Sequence, residues 1–329
     1  MTHAEWTADD FISGVRNYSP ELARRIERNA PFGRRTTYRV GGIATCVVEA
    51  QSVEDLLHLG TVSKSCGAPI TVLGRGSNTL VADAGWNGVV VSLGEFSEWI
   101  HTDESAILPG RRVVVGVGGA VALPILSRRM ASLGVSGLEW MVGVPGSIGG
   151  AVRMNAGGHG ADMSDSVIDV DVVDMEQGLK ERWGPEELQL AFRSSALQNH
   201  HVVVGAQLEG VGADSEVVSR RVDEIVRWRR QHQPGGQNCG SVFVNPVPGE
   251  VSAGELIDNL DLRGFRIGSA EVSDKHANFI QADGDGSADD VVKVMDVVRQ
   301  RVRETTGFEL RSEVRLLGFS NLDSSDLRR

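Results

Sequence analysis

Two glycine-rich segments carry the clearest donor chemistry in this chain. Thr71-Val-Leu-Gly-Arg-Gly-Ser-Asn78 reads as a strand running into a loop. There Gly74 and Gly76 can expose backbone N–H groups, and Ser77 and Asn78 add side-chain donors, a set that suits a pyrophosphate. It matches neither common nucleotide fingerprint: the third glycine of G-x-G-x-x-G is missing and no Lys-Ser/Thr pair follows. Gly, Ser and Asn are also ordinary turn formers, so taken alone the segment reads as a plain turn more readily than as an anion site. The second segment, Gly143-Val-Pro-Gly-Ser-Ile-Gly-Gly-Ala-Val-Arg-Met-Asn-Ala-Gly-Gly-His-Gly160, holds seven glycines in eighteen positions. A structureless loop of that length is functional or disordered. Ile148, Val152 and Met154 argue against disorder, which leaves a structural loop and a ligand cradle equally open.

The remaining chemistry is sparser. Arg227, Arg229 and Arg230 form a basic cluster that can hold an anionic small molecule. Cys46, Cys66 and Cys239 are odd in number and far apart, with no zinc spacing and no disulfide framework, so no metal site is expected. Cys239 reads as a small buried hydrophobe rather than a reactive thiol. A reduced, cytoplasmic enzyme is the expectation.

Positioning these groups requires a mixed α+β chain. Residues 1–30 read as one helix broken near Pro20, with Phe11, Val15, Leu22 and Ile26 as its stripe. Short strands follow at 44–50, 70–73 and 89–93, with a helix between the first two that Ser52 caps and Glu54 and Asp55 favour. A strand at 113–117 leads into a helix ending near Leu133, with Gly134 beyond it. Strands are expected at 167–175 and 201–208. A helix at 215–230 breaks at Pro234-Gly235-Gly236, the best linker candidate. Beyond it the pattern predicts a strand at 241–244 and a helix opened by a capping box at Ser252-Ala-Gly-Glu255. A helix after Ser287 buries Val291, Val294, Met295, Val298 and Val302 and closes at Gly307. A final strand at 308–317 alternates, with Glu313 on the face of Arg311 and Arg315.

With 329 residues, 41% hydrophobic and 23% charged, the chain suffices for two or three modest domains. A formal net charge of −11 argues against sequence-independent nucleic-acid binding. No apolar run reaches membrane-spanning length; residues 113–126 come nearest but are interrupted by Gly116, Gly118, Gly119 and Pro124. Glu5, Asp9 and Asp10 sit where a secretory signal would need a basic start.

Seven motifs then occur in the order of one family. They are Thr36-Thr-Tyr-Arg-Val-Gly-Gly42, Leu73-Gly-Arg-Gly-Ser-Asn78, Gly137-Leu-Glu-Trp-Met-Val-Gly-Val-Pro-Gly-Ser-Ile-Gly-Gly-Ala-Val-Arg-Met-Asn-Ala-Gly157, Cys239-Gly-Ser-Val-Phe243, Ser252-Ala-Gly-Glu-Leu-Ile-Asp258, Lys275-His-Ala-Asn-Phe279 and Ser312-Glu-Val-Arg-Leu316. Over residues 31–318 the chain resembles the UDP-N-acetylenolpyruvoylglucosamine reductases, also called UDP-N-acetylmuramate dehydrogenases. The resemblance implies a two-subdomain FAD-binding fold of the vanillyl-alcohol-oxidase type plus a C-terminal substrate domain. The corresponding division is an N-terminal helical segment (1–30), FAD-binding subdomains at 31–98 and 99–226, and a substrate-binding domain at 227–329.

The same resemblance implies noncovalent FAD, with NADPH as co-substrate and a UDP-sugar as substrate. Its flavin contacts fall on Arg39, Gly41 and Gly42, on Gly74, Arg75, Gly76, Ser77 and Asn78, and on Gly143, Pro145, Gly146, Ser147, Ile148, Gly149, Gly150, Asn155 and Gly157, with Arg315. Its catalytic residues fall on Arg193, Ser241 and Glu313, and its substrate contacts on Arg229, Arg230, Asn245 and His276. No nucleic acid, membrane or metal is implied, and a monomer is expected. The chemistry agrees. Hydride added to the terminal CH₂ of an enol ether of pyruvate leaves negative charge on Cα and the carboxylate. An arginine and a nearby carboxylic acid can steady that charge, and a hydroxyl can then protonate Cα.

Departures are few. Val244 stands where the family often has lysine, with Arg229 or Arg230 as replacements, and His159 stands where tyrosine or histidine is usual. Only Tyr18 and Tyr38 occur, so the chain resembles the shorter second type, which lacks the mobile tyrosine loop. Two other readings stay open on sequence: a paralogue that reduces another enolpyruvyl nucleotide or sugar, and a flavin-binding scaffold without catalysis. Retention of Arg193, Ser241 and Glu313 opposes the second.

Overall fold

The computed structural model describes residues 6–319, so Glu5 and residues 320–329 lie outside the described residues. The chain forms two compact units, each discontinuous in sequence. The first takes residues 1–28, 45–75 and 88–229; the second takes 29–44, 76–87 and 230–329. Mixed helices and strands in both bear out the α+β class.

A four-stranded sheet, most of whose residues belong to the first unit, runs in the order Glu27–Ala30, Ala44–Ala50, Trp86–Leu93, Ile70–Val72. The helix Val53–Cys66 opens where Ser52 accepts from the Asp55 N–H and closes at left-handed Gly67. Leu56, Leu59, Val89 and Val91 bury with Phe11, Val15 and Leu22, so this end of the unit is held by apolar burial. A second, antiparallel sheet runs Leu179–Trp183, Val167–Asp174, His201–Gly212, Arg112–Gly118, Ile100–Thr102, with Val135–Ser136 added beside His201–Gly212. The helices Leu123–Ser132 and Ile148–Met154 contribute Leu126, Met130, Ile148 and Val152 to its core.

The second unit is built around the helix Ala288–Thr306 and the strands Arg266–Ile267, Ala270–Val272 and Ile280–Ala282. Val291, Val294, Met295, Val298 and Val302 are buried as the periodicity predicts, and Gly307 ends the helix at φ +78°. Thr79–Val81 pairs in parallel with Arg315–Leu317. Tyr38 is fully buried here and donates its hydroxyl to the Ile280 carbonyl at 3.0 Å.

Five local expectations change. The first thirty residues hold two helices, Ala8–Tyr18 and Pro20–Arg24, because Ser19 caps the second and Pro20 sits at its start. The long glycine segment is not structureless: Ser147 caps the helix Ile148–Met154, and Asn155 ends it in the left-handed region. No strand forms at 241–244. One antiparallel bridge joins Phe243 to Ser312, and the Asn278 side chain accepts from the Phe243 N–H and donates to the Phe243 carbonyl. The predicted strand at 308–317 shrinks to Arg315–Leu317, although Leu310, Ser312 and Val314 keep the alternating burial. The helix predicted to end at residue 230 runs to His232, and the unit boundary falls after Arg229. The hairpin strand Leu179–Trp183 and the short helix Pro185–Leu188 carried no clear apolar period and were not foreseen.

Candidate active site

In the first unit the two glycine segments meet. Gly74 lies so close to Ser147 that a methyl group on Gly74 would sit 2.4 Å from Ser147 Oγ. Ser147 is fixed by a bridge to Ala122, and the Gly146 carbonyl accepts from Leu123 N–H at 3.1 Å. Exposed Pro145 forms the outer edge of this loop. The N–H groups of Ile148 and Gly149 donate to Val121 and Gly119 carbonyls at 2.9 and 2.8 Å, and that of Gly150 to Ser147 Oγ at 3.4 Å. These three donors are committed to the protein, whereas the N–H groups of Gly74 and Arg75 donate to no described residue. Two buried polar atoms, Thr71 Oγ1 and Trp140 Nε1, also lack a partner among the described residues, and each lies three positions before its glycine segment.

Around Gly143 stand His159 and Arg229: a methyl group there would be 3.2 Å from the His159 ring and 3.4 Å from Arg229 Cδ. His159 meets Trp228 edge to face at 5.0 Å. Burial, helped by the Arg229 charge, pulls the His159 imidazole below its ordinary range, and burial also lowers Arg229. Arg193 belongs to the tight turn closed by reciprocal bonds between Ala191 and Ser194, at φ +56°. Its guanidinium donates to the Gly157 carbonyl at 3.2 Å and reaches the Asn155 carbonyl at 3.5 Å. The Asn155 side chain is itself spent on protein partners, so sequence reasoning, which gave it to the flavin, missed its structural use.

In the second unit, Gly41 at φ +100° lies against the Val81 carbonyl, where a methyl group would come within 2.1 Å. Gly42 donates to the Ala82 carbonyl, and exposed Arg39 stands before them at φ +55°. Gly76, Ser77 and Asn78 follow the pattern of the preceding pair, since their N–H groups donate to no described residue. Asn78 Nδ2 donates to the Glu313 carbonyl at 2.9 Å, and Arg315 N–H donates back to the Asn78 carbonyl at 3.0 Å. Glu313 N–H in turn donates to the Val242 carbonyl at 2.8 Å, which brings the backbones next to Ser241 and at Glu313 together. Without a strand, Ser241, Phe243 and Asn245 do not share a sheet face as the sequence suggested: Phe243 is buried, while Ser241 and Asn245 are half-buried.

Asn245 Oδ1 accepts from the Ala253 N–H at the start of the helix Ala253–Asp258. His276 Nδ1 accepts from the Asn278 N–H at 3.2 Å, and burial with nearby Arg263 lowers its pKa, so the ring is neutral at pH 7. Val244 is buried. Exposed Arg230 gives its carbonyl to Lys275 Nζ. Cys239 is buried against the Thr79 carbonyl and the Thr37 hydroxyl, and burial pushes its thiol up to about 12. It is a packed, protonated thiol.

One cluster was not foreseen. Asp174, His200 and His201 bring potential ligand atoms within 4.8 Å of one another in the first unit. His201 Nδ1 accepts the Gln198 N–H at 2.9 Å, which puts the ring proton on Nε2, facing Asp174 Oδ2 at 3.5 Å. That tautomer offers a cation no lone pair on Nε2. Adjacent histidines opposite an aspartate on the neighbouring strand were the available signal, but it needs the strand register to be seen.

The uncommitted N–H groups of Gly74 and Arg75 in the first unit, where Ser147 closes the side of Gly74, and those of Gly76, Ser77 and Asn78 in the second are each donor sets of the kind that suit the phosphates of a cofactor such as FAD. Comparison with known proteins agrees. Residues 44–181 match the profile of an FAD binding domain, and residues 231–317 match that of the UDP-N-acetylenolpyruvoylglucosamine reductase C-terminal domain. The chain is 43% identical over 292 residues to UDP-N-acetylenolpyruvoylglucosamine reductase of Heliobacterium modesticaldum, covering 88% of this chain and 90% of that protein. It is 36% identical over 297 residues to the reductase of the same name from Bacillus subtilis, covering 89% and 94%. The crystal structure of UDP-N-acetylenolpyruvylglucosamine reductase from Thermus caldophilus superimposes with a TM-score of 0.74 at 34% identity, covering 89% of this chain and 99% of that one.

Proposed function

The chain belongs to the UDP-N-acetylenolpyruvoylglucosamine reductase family, and from that premise we propose how its residues serve the reaction. It is an FAD oxidoreductase that reduces the enolpyruvyl group of UDP-N-acetylglucosamine enolpyruvate to give UDP-N-acetylmuramate, a peptidoglycan precursor. NADPH is the proposed electron source. The observation that carries the site reading is the Glu313–Val242 hydrogen bond, which ties the Glu313 backbone to the residue following Ser241.

FAD, when bound, supplies hydride chemistry between NADPH and the enolpyruvyl CH₂. The family pattern assigns its diphosphate to the donors of Gly74 to Asn78 and its other contacts to Arg39, Gly41, Gly42, residues 143–150, Asn155, Gly157 and Arg315, although the Asn155 amide is taken by Asp162, Ala191 and Ser164. Arg193 places its guanidinium charge on the substrate carboxylate as negative charge builds there. Ser241 donates a proton to Cα, and Glu313, acting as a carboxylic acid, steadies the same charge by donating a hydrogen bond to it. A serine hydroxyl is a poor acid in water, so its transfer needs a strongly basic carbon held away from solvent. Arg229, Arg230, Asn245 and His276 take the UDP-sugar, the two arginines replacing the lysine absent at Val244. The four-part division at residues 30, 98 and 226, a monomeric state and a cytoplasmic location complete the proposal. Among the described residues no helix is long and apolar enough to cross a membrane.

The steady-state test is NADPH oxidation by the purified flavoprotein with UDP-N-acetylglucosamine enolpyruvate, compared with enolpyruvyl compounds lacking the UDP-sugar. Turnover that requires the UDP-sugar is expected. Equal or faster turnover of another enolpyruvyl compound would overturn the assignment in favour of a paralogous activity.

A further inference from the structure

We propose that Asp162, acting through the Asn155 amide, is a positioning residue for the Arg193 guanidinium. This rests on the reading of Arg193 as catalytic. Asp162 Oδ2 accepts one Asn155 Nδ2 proton at 3.2 Å, and the amide directs its other donation to the Ala191 carbonyl at 3.1 Å. Asn155 Oδ1 accepts from Ser164 N–H at 3.0 Å, so all three bonds fix the amide plane. Asn155 is 2% exposed, and a buried amide satisfied on every side has little freedom to turn.

Ala191 is the first residue of the turn that carries Arg193, closed by bonds of 3.1 and 3.0 Å with Ser194. The far end of Arg193 rests on the Gly157 and Asn155 carbonyls. Gly157 is also held by Asp162, its register partner in the hairpin of residues 157–162. A methyl group on Gly157 would lie 2.4 Å from Asp162 Cβ, so that position needs glycine for this packing. Asp162 thus reaches Arg193 by two routes: through the amide to the turn, and through the hairpin to the carbonyl under the guanidinium. An arginine displaced by about an ångström loses alignment with a developing charge, which can cost on the order of 100-fold in rate.

The test uses the flavin-loaded full chain and measures each half reaction separately. Asp162→Ser is the informative variant, because a serine can still cap the Ser164 N–H, as Oδ1 does at 2.9 Å, but is too short to reach Asn155. It is expected to slow flavin reoxidation by the UDP-sugar about 10-fold to 100-fold. Flavin reduction by NADPH is expected to change by less than about 2-fold. Asp162→Asn, which keeps the shape and one acceptor oxygen, falls between, and it replaces the serine variant should that one fail to fold. Substrate-induced perturbation of the oxidised flavin spectrum should need more substrate in the same order. In an Arg193→Ala background the Asp162 substitutions should have almost no further effect, since both act on one interaction. An Asp162 effect of full size in that background, or equal slowing of both half reactions, would overturn the proposal while leaving Arg193 catalytic. An Arg193→Ala protein that reoxidises at the normal rate would overturn the reading of Arg193 and the proposal together.

Discussion

The backbone N–H of Glu313 donates to the Val242 carbonyl at 2.8 Å, so one residue and one hydrogen bond separate Ser241 from Glu313. The Phe243–Ser312 bridge and the Val244 N–H bond to the Arg311 carbonyl hold the same register, and Asn78 Nδ2 fixes the Glu313 carbonyl. The backbones that carry a hydroxyl and a carboxyl group seventy-two residues apart in sequence are therefore tied by main-chain hydrogen bonds.

Ser241→Ala should leave flavin reduction by NADPH nearly intact and slow flavin reoxidation by the UDP-sugar by about 10²–10⁴-fold, the usual worth of a general acid. Ser241→Cys should retain part of the rate, because a thiol can still give a proton. Stopped-flow absorbance of the flavin separates the two steps. Equal slowing of both would make Ser241 structural, and no slowing of either would move the proton to water or to Glu313.

Gly74→Ala places a methyl group 2.4 Å from Ser147 Oγ and must either turn that hydroxyl off the Gly150 N–H or push the two glycine segments apart. Overpacking of this kind costs about 1–3 kcal/mol. The variant should melt earlier and purify with less bound FAD than the parent, read by a thermal scan and by flavin absorbance per chain. Unchanged flavin content would remove Gly74 from the cofactor site.

Burial raises the Cys239 thiol from an ordinary 9.0 to about 12, and that of Cys46 to about 11. A raised folded-state pKa means the native protein keeps the proton longer than the unfolded chain. Its stabilising contribution is complete below about pH 9 and is lost as pH rises from there towards 12. Native Cys239 should resist alkylation at pH 8 and react only after unfolding. In Cys239→Ala the fall of stability above pH 9 should be shallower, and an identical fall would contradict the assignment.

Asp83 caps the helix Ala288–Thr306 from a distant segment of the second unit. Its carboxylate accepts from the Ser287 hydroxyl at 2.5 Å and from the Ala288 and Asp289 N–H groups at 3.0 and 3.2 Å. Asp83→Ala should cost about 1–2 kcal/mol, since it removes a charged cap at a helix N-terminus. Urea unfolding checks it, and a loss below about 0.5 kcal/mol would show that Ser287 alone suffices.

What the sequence made legible was local. Ser52 and Ser287 announce their helices, and Gly134 and Gly307 end theirs, because caps and left-handed residues act within one turn. The glycine loops were visible as loops, but the fit of Gly74 against Ser147 was not, since the two positions are brought together only by the sheet and helices between them. The apparent strand at 241–244 fails for the same reason. Its apolar residues are buried in the core while its backbone is bonded by Asn278 and the 311–313 segment, and periodicity cannot distinguish that from sheet pairing. The use of Asn155 as a brace for the Arg193 turn likewise depends on Ala191 and Asp162, partners that no motif within residues 137–157 contains.

The most direct measurement is an anaerobic two-step titration of the flavin absorbance. One equivalent of NADPH should bleach the bound oxidised flavin, and one equivalent of UDP-N-acetylglucosamine enolpyruvate should then restore it, with UDP-N-acetylmuramate as the product. A flavin that NADPH bleaches but the UDP-sugar cannot restore, while another enolpyruvyl compound can, would contradict the account.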